Sequence, residues 1–228
     1  MDDAITSLPG RGQRESALST AALPQGAFAH ALLFTGHMID APGRAQPRFP
    51  AWAESRARSA IRDAITAVKW PQPGPVIALS GAASGGDLLF QECCDDLGIP
   101  ALVLLALPRD EFEADSVAPG GPGWVKRFHA LLERRGPDRL RVIERRRGSP
   151  DSERGDIWQR ANHWMIEQAS ALAPDQALLA LWDGKAGDGP GGTEHFLQVA
   201  RQRGIRILPV IPMDTICAEA RASRPSGS

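Results

Sequence analysis

Apolar positions along the chain fall into two patterns that alternate. Short runs that are apolar nearly throughout, such as "PVIALS" (75–80) and "ALVLLALP" (101–108), read as strands covered on both faces. Between such runs lie longer stretches with apolar positions three and four residues apart. In "AWAESRARSAIRDAITAVKW" (51–70), Ile61, Ala64, Ile65 and Val68 form one stripe of an amphipathic helix. The same reading predicts strands in "HALLFTGHM" (30–38), "LRVIER" (140–145), "QALLALWDG" (176–184) and "IRILPVIP" (205–212). Helices are predicted from about 86 to 97, over 123–135, over 153–173 with Pro174 as the stop, and over 193–204. Strand and helix thus alternate about six times. That order predicts an α/β fold: a three-layer, Rossmann-like, doubly wound and mostly parallel sheet of about six strands, with right-handed crossovers. Residues 1–26 read as a flexible N-terminal leader, 27–213 as the domain and 214–228 as a C-terminal tail.

Composition narrows the field of functions. The chain has 228 residues, 43 % of them hydrophobic and 23 % charged, which suits one globular domain. A formal net charge of −1 argues against a nucleic-acid partner. No apolar run approaches the roughly 18 residues of a membrane span. The start, "MDDAITSLPGRGQRES", has neither the basic opening nor the apolar segment of a secretory signal. A cytoplasmic protein without a membrane partner is therefore expected. Of the three cysteines, Cys93 and Cys94 are adjacent on a predicted helix, and no CxxC or paired Cys/His spacing occurs. Neither a disulfide framework nor a metal site is expected, and the thiols read as small apolar packing groups. No cofactor is expected.

Candidate chemistry follows from the predicted sheet, because open parallel sheets bind ligands beyond the carboxyl ends of their strands. Three Gly-rich connections leave that edge: "TGHMIDAPGRAQPRFP", "SGAASGGD" and "WDGKAGDGPGGTEHF". Glycines let a phosphate approach the backbone, and a helix N-terminus offers N–H donors to it. The candidate ligand-binding residues are Gly36, His37, Arg44 and Arg48 in the first connection. In the second they are Ser80, Gly81, Ala82, Gly85, Gly86 and Asp87. In the third they are Asp183, Gly184, Gly191, Gly192 and Thr193. Each has a plainer alternative. Gly85 and Gly86 can serve only to turn the chain, Asp87 to start a helix, His37 to pack, and the arginines to meet solvent or surface carboxylates. Trp158, Trp164 and Trp182 read as packing residues, or as a stacking face for a purine.

With those motifs placed, the chain resembles the superfamily named for the Smf/DprA DNA-uptake proteins and the LOG phosphoribohydrolases, abbreviated SLOG. "LSGAASGGD" (79–87) is similar to the Ser-Gly-x-Ala-x-Gly-x-Asp signature of the DprA branch. "GPGGTEHF" (189–196) is similar to the LOG motif Pro-Gly-Gly-x-Gly-Thr-x-x-Glu, and "WQRANHWM" (158–165) to the LOG helix that carries an arginine near the ligand. The resemblance implies a nucleotide or nucleotide-derived ligand, with Arg160 and Asn162 beside it, and leaves a homodimer open. Where the LOG motif has a residue and a glycine before its threonine, Gly192 here runs straight into Thr193. Phe196 stands in the place of the family's glutamate, and Glu194 is the nearest carboxylate. Two readings remain open. One is a soluble binding module, or sensor, for a nucleotide or nucleotide-derived signal. The other is a LOG-like N-glycoside hydrolase releasing free base, with Glu194, Asp183 and Arg160 as its catalytic residues.

Overall fold

The computed structural model describes residue 23 and residues 26–143, 154–186 and 190–223, with backbone alone for 154–156. A parallel sheet forms the middle layer. Its strands are β1 (His30–Gly36), β2 (Val76–Ser80), β3 (Ala101–Leu105), β4 (Leu140–Val142), β5 (Asp175–Trp182), β6 (Arg206–Ile207) and β7 (Ile211–Pro212). They lie in the order β4-β3-β2-β1-β5-β6, with β7 also pairing β5, and every pairing between them is parallel. The helices are α1 (Glu54–Ala67), α2 (Gly86–Asp96), α3 (Arg109–Ser116), α4 (Pro122–Arg135), α5 (Arg154–Leu172), α6 (Thr193–Gln202) and α7 (Met213–Ala222).

Successive side chains of a strand point to opposite faces of the sheet. Leu32 and Phe34 of β1 accordingly enter one core cluster with Ile61 of α1, Phe90 of α2 and Phe128 of α4. Ala31 and Leu33 enter the other, with Ile166 of α5 and Leu197 of α6. Both faces are covered, which is why the strand sequences are apolar throughout rather than alternating. The three-layer, Rossmann-like architecture is the one the order of patterns predicts.

The chain starts in the middle of the sheet and moves outward through β2 and β3 to β4. The long helix α5 then crosses the opposite face, and β5 pairs with the free side of β1, His30 beside Asp175 through Gly36 beside Leu181. From these two neighbours the chain leaves toward different faces, α1 on one and α6 on the other. A crevice opens where the winding reverses, beyond the carboxyl ends of β1 and β5.

Three local features depart from the periodicity. The strand expected over 205–212 is divided into β6 and β7. Between Ile207 beside Leu178 and Ile211 beside Leu181, three residues stand opposite two, a bulge that takes up Pro209. Helix α3 has Phe112 as its one buried apolar side chain, so it shows no apolar stripe. The segment from 214 onward, expected to be a tail, continues the helix that starts at Met213 and runs to Ala222, with Ile216 and Ala220 buried.

Candidate functional site

A cleft of about 720 Å³ occupies the switch point. The end of β1 (Thr35, Gly36, His37) forms its floor, with Gly81, Ala83 and Asp87 of the β2–α2 turn on one side. Thr193 and Phe196 of α6 lie on the other, with Gly191 and Gly192 before them. Trp158, Ala161, Asn162 and Met165 line it from α5, spaced three and four residues apart on one helical face. Phe112 and Asp115 of α3, Arg44 and Arg48 of the β1–α1 connection, and Trp182 complete the walls.

In the turn after β2, most of the small residues serve close packing of chain on chain. Gly85 has φ 104°, and a Cβ there would lie 2.4 Å from the Ile39 nitrogen. At that point the β1–α1 connection crosses the turn: Ile39 N–H donates to Ser84 O at 2.9 Å and Gly86 N–H to His37 O at 2.9 Å. Ser80 is fully buried, its hydroxyl donating to Gly81 O and accepting from Gln91 Nε2 at 3.0 Å. Ala82 is core. Ser80, Ala82, Gly85 and Gly86 therefore shape the site without lining it. Gly81 and Asp87 do line it, and they are coupled, since a Cβ on Gly81 would come within 2.5 Å of Asp87 Oδ2.

Much of the charge expected to meet phosphate is already spoken for. Arg48 clamps Asp183 with two bonds, Nε to Oδ2 at 3.0 Å and Nη2 to Oδ1 at 2.9 Å. Both side chains are largely buried, at 14 % and 6 % exposure. Burial pushes the Asp183 carboxyl up, but the Arg48 fork, the Lys185 N–H and the nearby His37 outweigh it and hold the group well below the usual carboxylate range. Asp183 does not line the main cleft; with Pro47, Cys217 and Arg221 it lines a smaller cavity of about 270 Å³. His37 Nε2 lies 3.1 Å from the Asp183 N and 3.0 Å from Asp183 Oδ1. Burial, then the Arg48 charge, lowers its pKa despite the adjacent carboxylate. Asp40 accepts the N–H groups of Arg48 and Phe49, so it ties down the loop that carries both arginines. Arg44, at the cleft wall, donates from Nε to Gln46 O at 3.0 Å and lies 3.5 Å from Asp40 Oδ1.

The third connection meets α5. Gly191 has φ 80°, and a Cβ there would lie 2.4 Å from Trp158 Cβ, so only glycine lets this loop lie against the helix. Asn162 secures the contact by donating from Nδ2 to Gly191 O at 2.8 Å and to His195 Nδ1 at 2.9 Å. Because a carbonyl can only accept, that bond orients the amide and leaves Oδ1 with no acceptor role filled among the described residues. Burial, with a further contribution from His163, lowers the pKa of His195. Thr193 opens α6, and its hydroxyl accepts from Thr35 at 3.5 Å across the β1–β5 boundary. The first-turn N–H groups of α6 have no partner within the helix, and Gly192 and Thr193, which open it, line this end of the cleft.

Besides Ser80, Ala82, Gly85, Gly86 and Asp183, three more residues taken from the sequence fall outside these walls. Arg160 sits between the cleft-facing positions of α5 and is not among the described residues that line the cleft. Glu194 is exposed and outside it, and Gly184 turns the chain between Asp183 and Lys185. Conversely, Thr35, Phe112 and Asp115 were not singled out. The position of Thr35, one residue before the end of β1, was a signal available in the sequence. The other two lie on α3, which the periodicity does not reveal.

Fold and site together define a doubly wound α/β protein with a ligand-sized cleft at its switch point. No protein-family model matches the chain, and no curated protein matches it. Among solved structures it is similar to DNA processing protein A (DprA) from Streptococcus pneumoniae, at 12 % identity and a TM-score of 0.27. The likeness covers 84 % of this chain and 65 % of that one, so the chain spans about two thirds of that protein's length. Superposition at that level transfers no residue's role, and the cleft is read from its own geometry.

Proposed function

We propose that the protein is a binding module for a nucleotide or nucleotide-derived signal, held in the switch-point cleft with its phosphate at the start of α6. The observation that carries this reading is the convergence of donors there. The first-turn N–H groups of α6 meet the Thr193 hydroxyl, which accepts from Thr35 and keeps its own proton to donate, at one end of a cleft of about 720 Å³. Apolar walls from Trp158, Phe112 and Met165 suit the flat face of a base. Binding is favoured over glycoside cleavage because neither carboxylate named for cleavage from the sequence is placed to act. Glu194 lies outside the lining residues, Asp183 is locked by Arg48, and apolar Phe196 faces the cleft. Cleavage through an oxocarbenium-like centre needs a carboxylate set against the sugar, and neither candidate drawn from the sequence supplies one.

The test is mass spectrometry of the purified protein after incubation with nucleoside monophosphates, NAD, ADP-ribose and cyclic nucleotides. An intact nucleotide retained by the protein, with no free base accumulating, is the expected outcome. Time-dependent release of base would replace this reading with the hydrolase. Retention of nothing would remove the cleft as a nucleotide site.

A further inference from the structure

Four carboxylates other than Asp87 were candidates to meet a sugar or base, or line the cleft beside it, and each is either committed elsewhere or exposed. Asp183 is held by Arg48, Glu194 is exposed outside the walls, and Asp40 accepts two backbone N–H groups of its own loop. Asp115 stands exposed at the rim. Asp87 differs from all of these. Its carboxyl faces the cleft from the first turn of α2 and receives a single protein hydrogen bond, a long one of 3.4 Å from Ala83 N–H. No cation among the described residues pairs with it.

The slot it occupies is built for it. Gly81 has no side chain at the one position where a Cβ would reach 2.5 Å from Oδ2. Protein packed around the group, only weakly offset by the Ala83 bond, pushes its pKa up to about 7. The other titratable or charged groups lining the cleft are His37, Asp40, Arg44 and Arg48 on the β1–α1 connection and Asp115 on α3. None of them is hydrogen-bonded to Asp87.

A desolvated carboxylate with spare acceptor capacity is stabilised by a donor and repels an anion. It also occupies the N-terminal end of α2, the second place where the sequence suggested a phosphate cradle. From these contacts we propose that Asp87 is the cleft's acceptor for a hydroxyl or amine group of the ligand, across β1 from the phosphate end at α6. The inference rests on the nucleotide reading above and gives it a direction: phosphate on the β5 side, sugar or base donors on the β2 side.

Calorimetry at about pH 8.5, with adenosine and inorganic phosphate as separate probes, tests it on the full chain. Losing a hydrogen bond to a charged group should weaken adenosine binding by roughly tenfold or more in Asp87→Ala. Inorganic phosphate should bind that variant at least as tightly as wild type. Gly81→Ala provides a second route, because its new methyl displaces the carboxyl without removing it, and should weaken adenosine in the same way. Asp87→Asn keeps an acceptor oxygen and should fall between. Adenosine binding unchanged in both Asp87→Ala and Gly81→Ala overturns the proposal, as does an equal loss for both probes. Wild type that binds phosphate but not adenosine overturns the proposal while the phosphate end survives. Wild type that binds neither overturns the nucleotide reading and this inference with it.

Discussion

Asp87 and the Arg48–Asp183 pair put opposite demands on stability. A carboxyl whose pKa in the folded protein is raised from 3.8 to about 7 binds its proton more tightly when folded than unfolded. Its contribution is therefore fully present below about pH 4 and is lost as pH rises toward 7. Asp87→Asn should abolish that slope and leave the variant more stable than wild type above pH 7. The full shift corresponds to roughly 4 kcal/mol, and water reaching the cleft trims this to about 2–3 kcal/mol. Urea midpoints across pH 4–8 check it, and parallel curves for the two proteins would rule it out. The buried Arg48–Asp183 pair behaves in the other direction. Removing one partner strands the other charge, so Arg48→Ala should cost about 3–5 kcal/mol, while Arg48→Ala combined with Asp183→Ala should cost less than the sum of the two single changes. Additive losses in a double-mutant cycle would show that the pair is not coupled. The role of the Arg48–Asp183 pair was illegible in the sequence because its partners are separated by 135 residues.

At the scale of elements, α7 is the clearest case of structure that periodicity understates. It packs Met213, Ile216 and Ala220 into the core cluster shared with α1 and α2. A chain ending after Pro212 should lose about 3–6 kcal/mol, the worth of two large apolar side chains returned to water. A urea midpoint unchanged by that truncation would mean the helix contributes nothing to the fold. The strongly apolar strands and the longer amphipathic helices were legible because both faces of the sheet are covered and each such helix buries a stripe. Helix α3 was not, because one phenylalanine anchors it. The two glycine-rich turns were visible as turns, yet their purpose was not. Gly85 and Gly191 each admit a neighbouring segment of backbone or helix, and a glycine that meets protein looks in sequence like one that meets phosphate.

For the whole molecule, the decisive fact is that β5 returns to the free side of β1. That single crossover brings the β1, β2 and β5 connections around one cleft and separates an acidic side at α2 from a donor-rich side at α6. The sequence by itself determined the class of fold, since alternating strand and helix patterns with doubly apolar strands have few other ways to bury their surface. It also determined which connections leave the ligand-bearing edge, because in a parallel sheet all carboxyl ends face the same way. Only the tertiary structure decided which of those residues reach the cleft. It consumed Arg48 and Asp183 in each other, left Arg160 and Glu194 outside the cleft lining, and left Asp87 with one long hydrogen bond and Asn162 Oδ1 with none among the described residues. Local pattern reports which face of a helix or strand is apolar, whereas charge pairing and close backbone approach depend on which distant segments the sheet brings side by side.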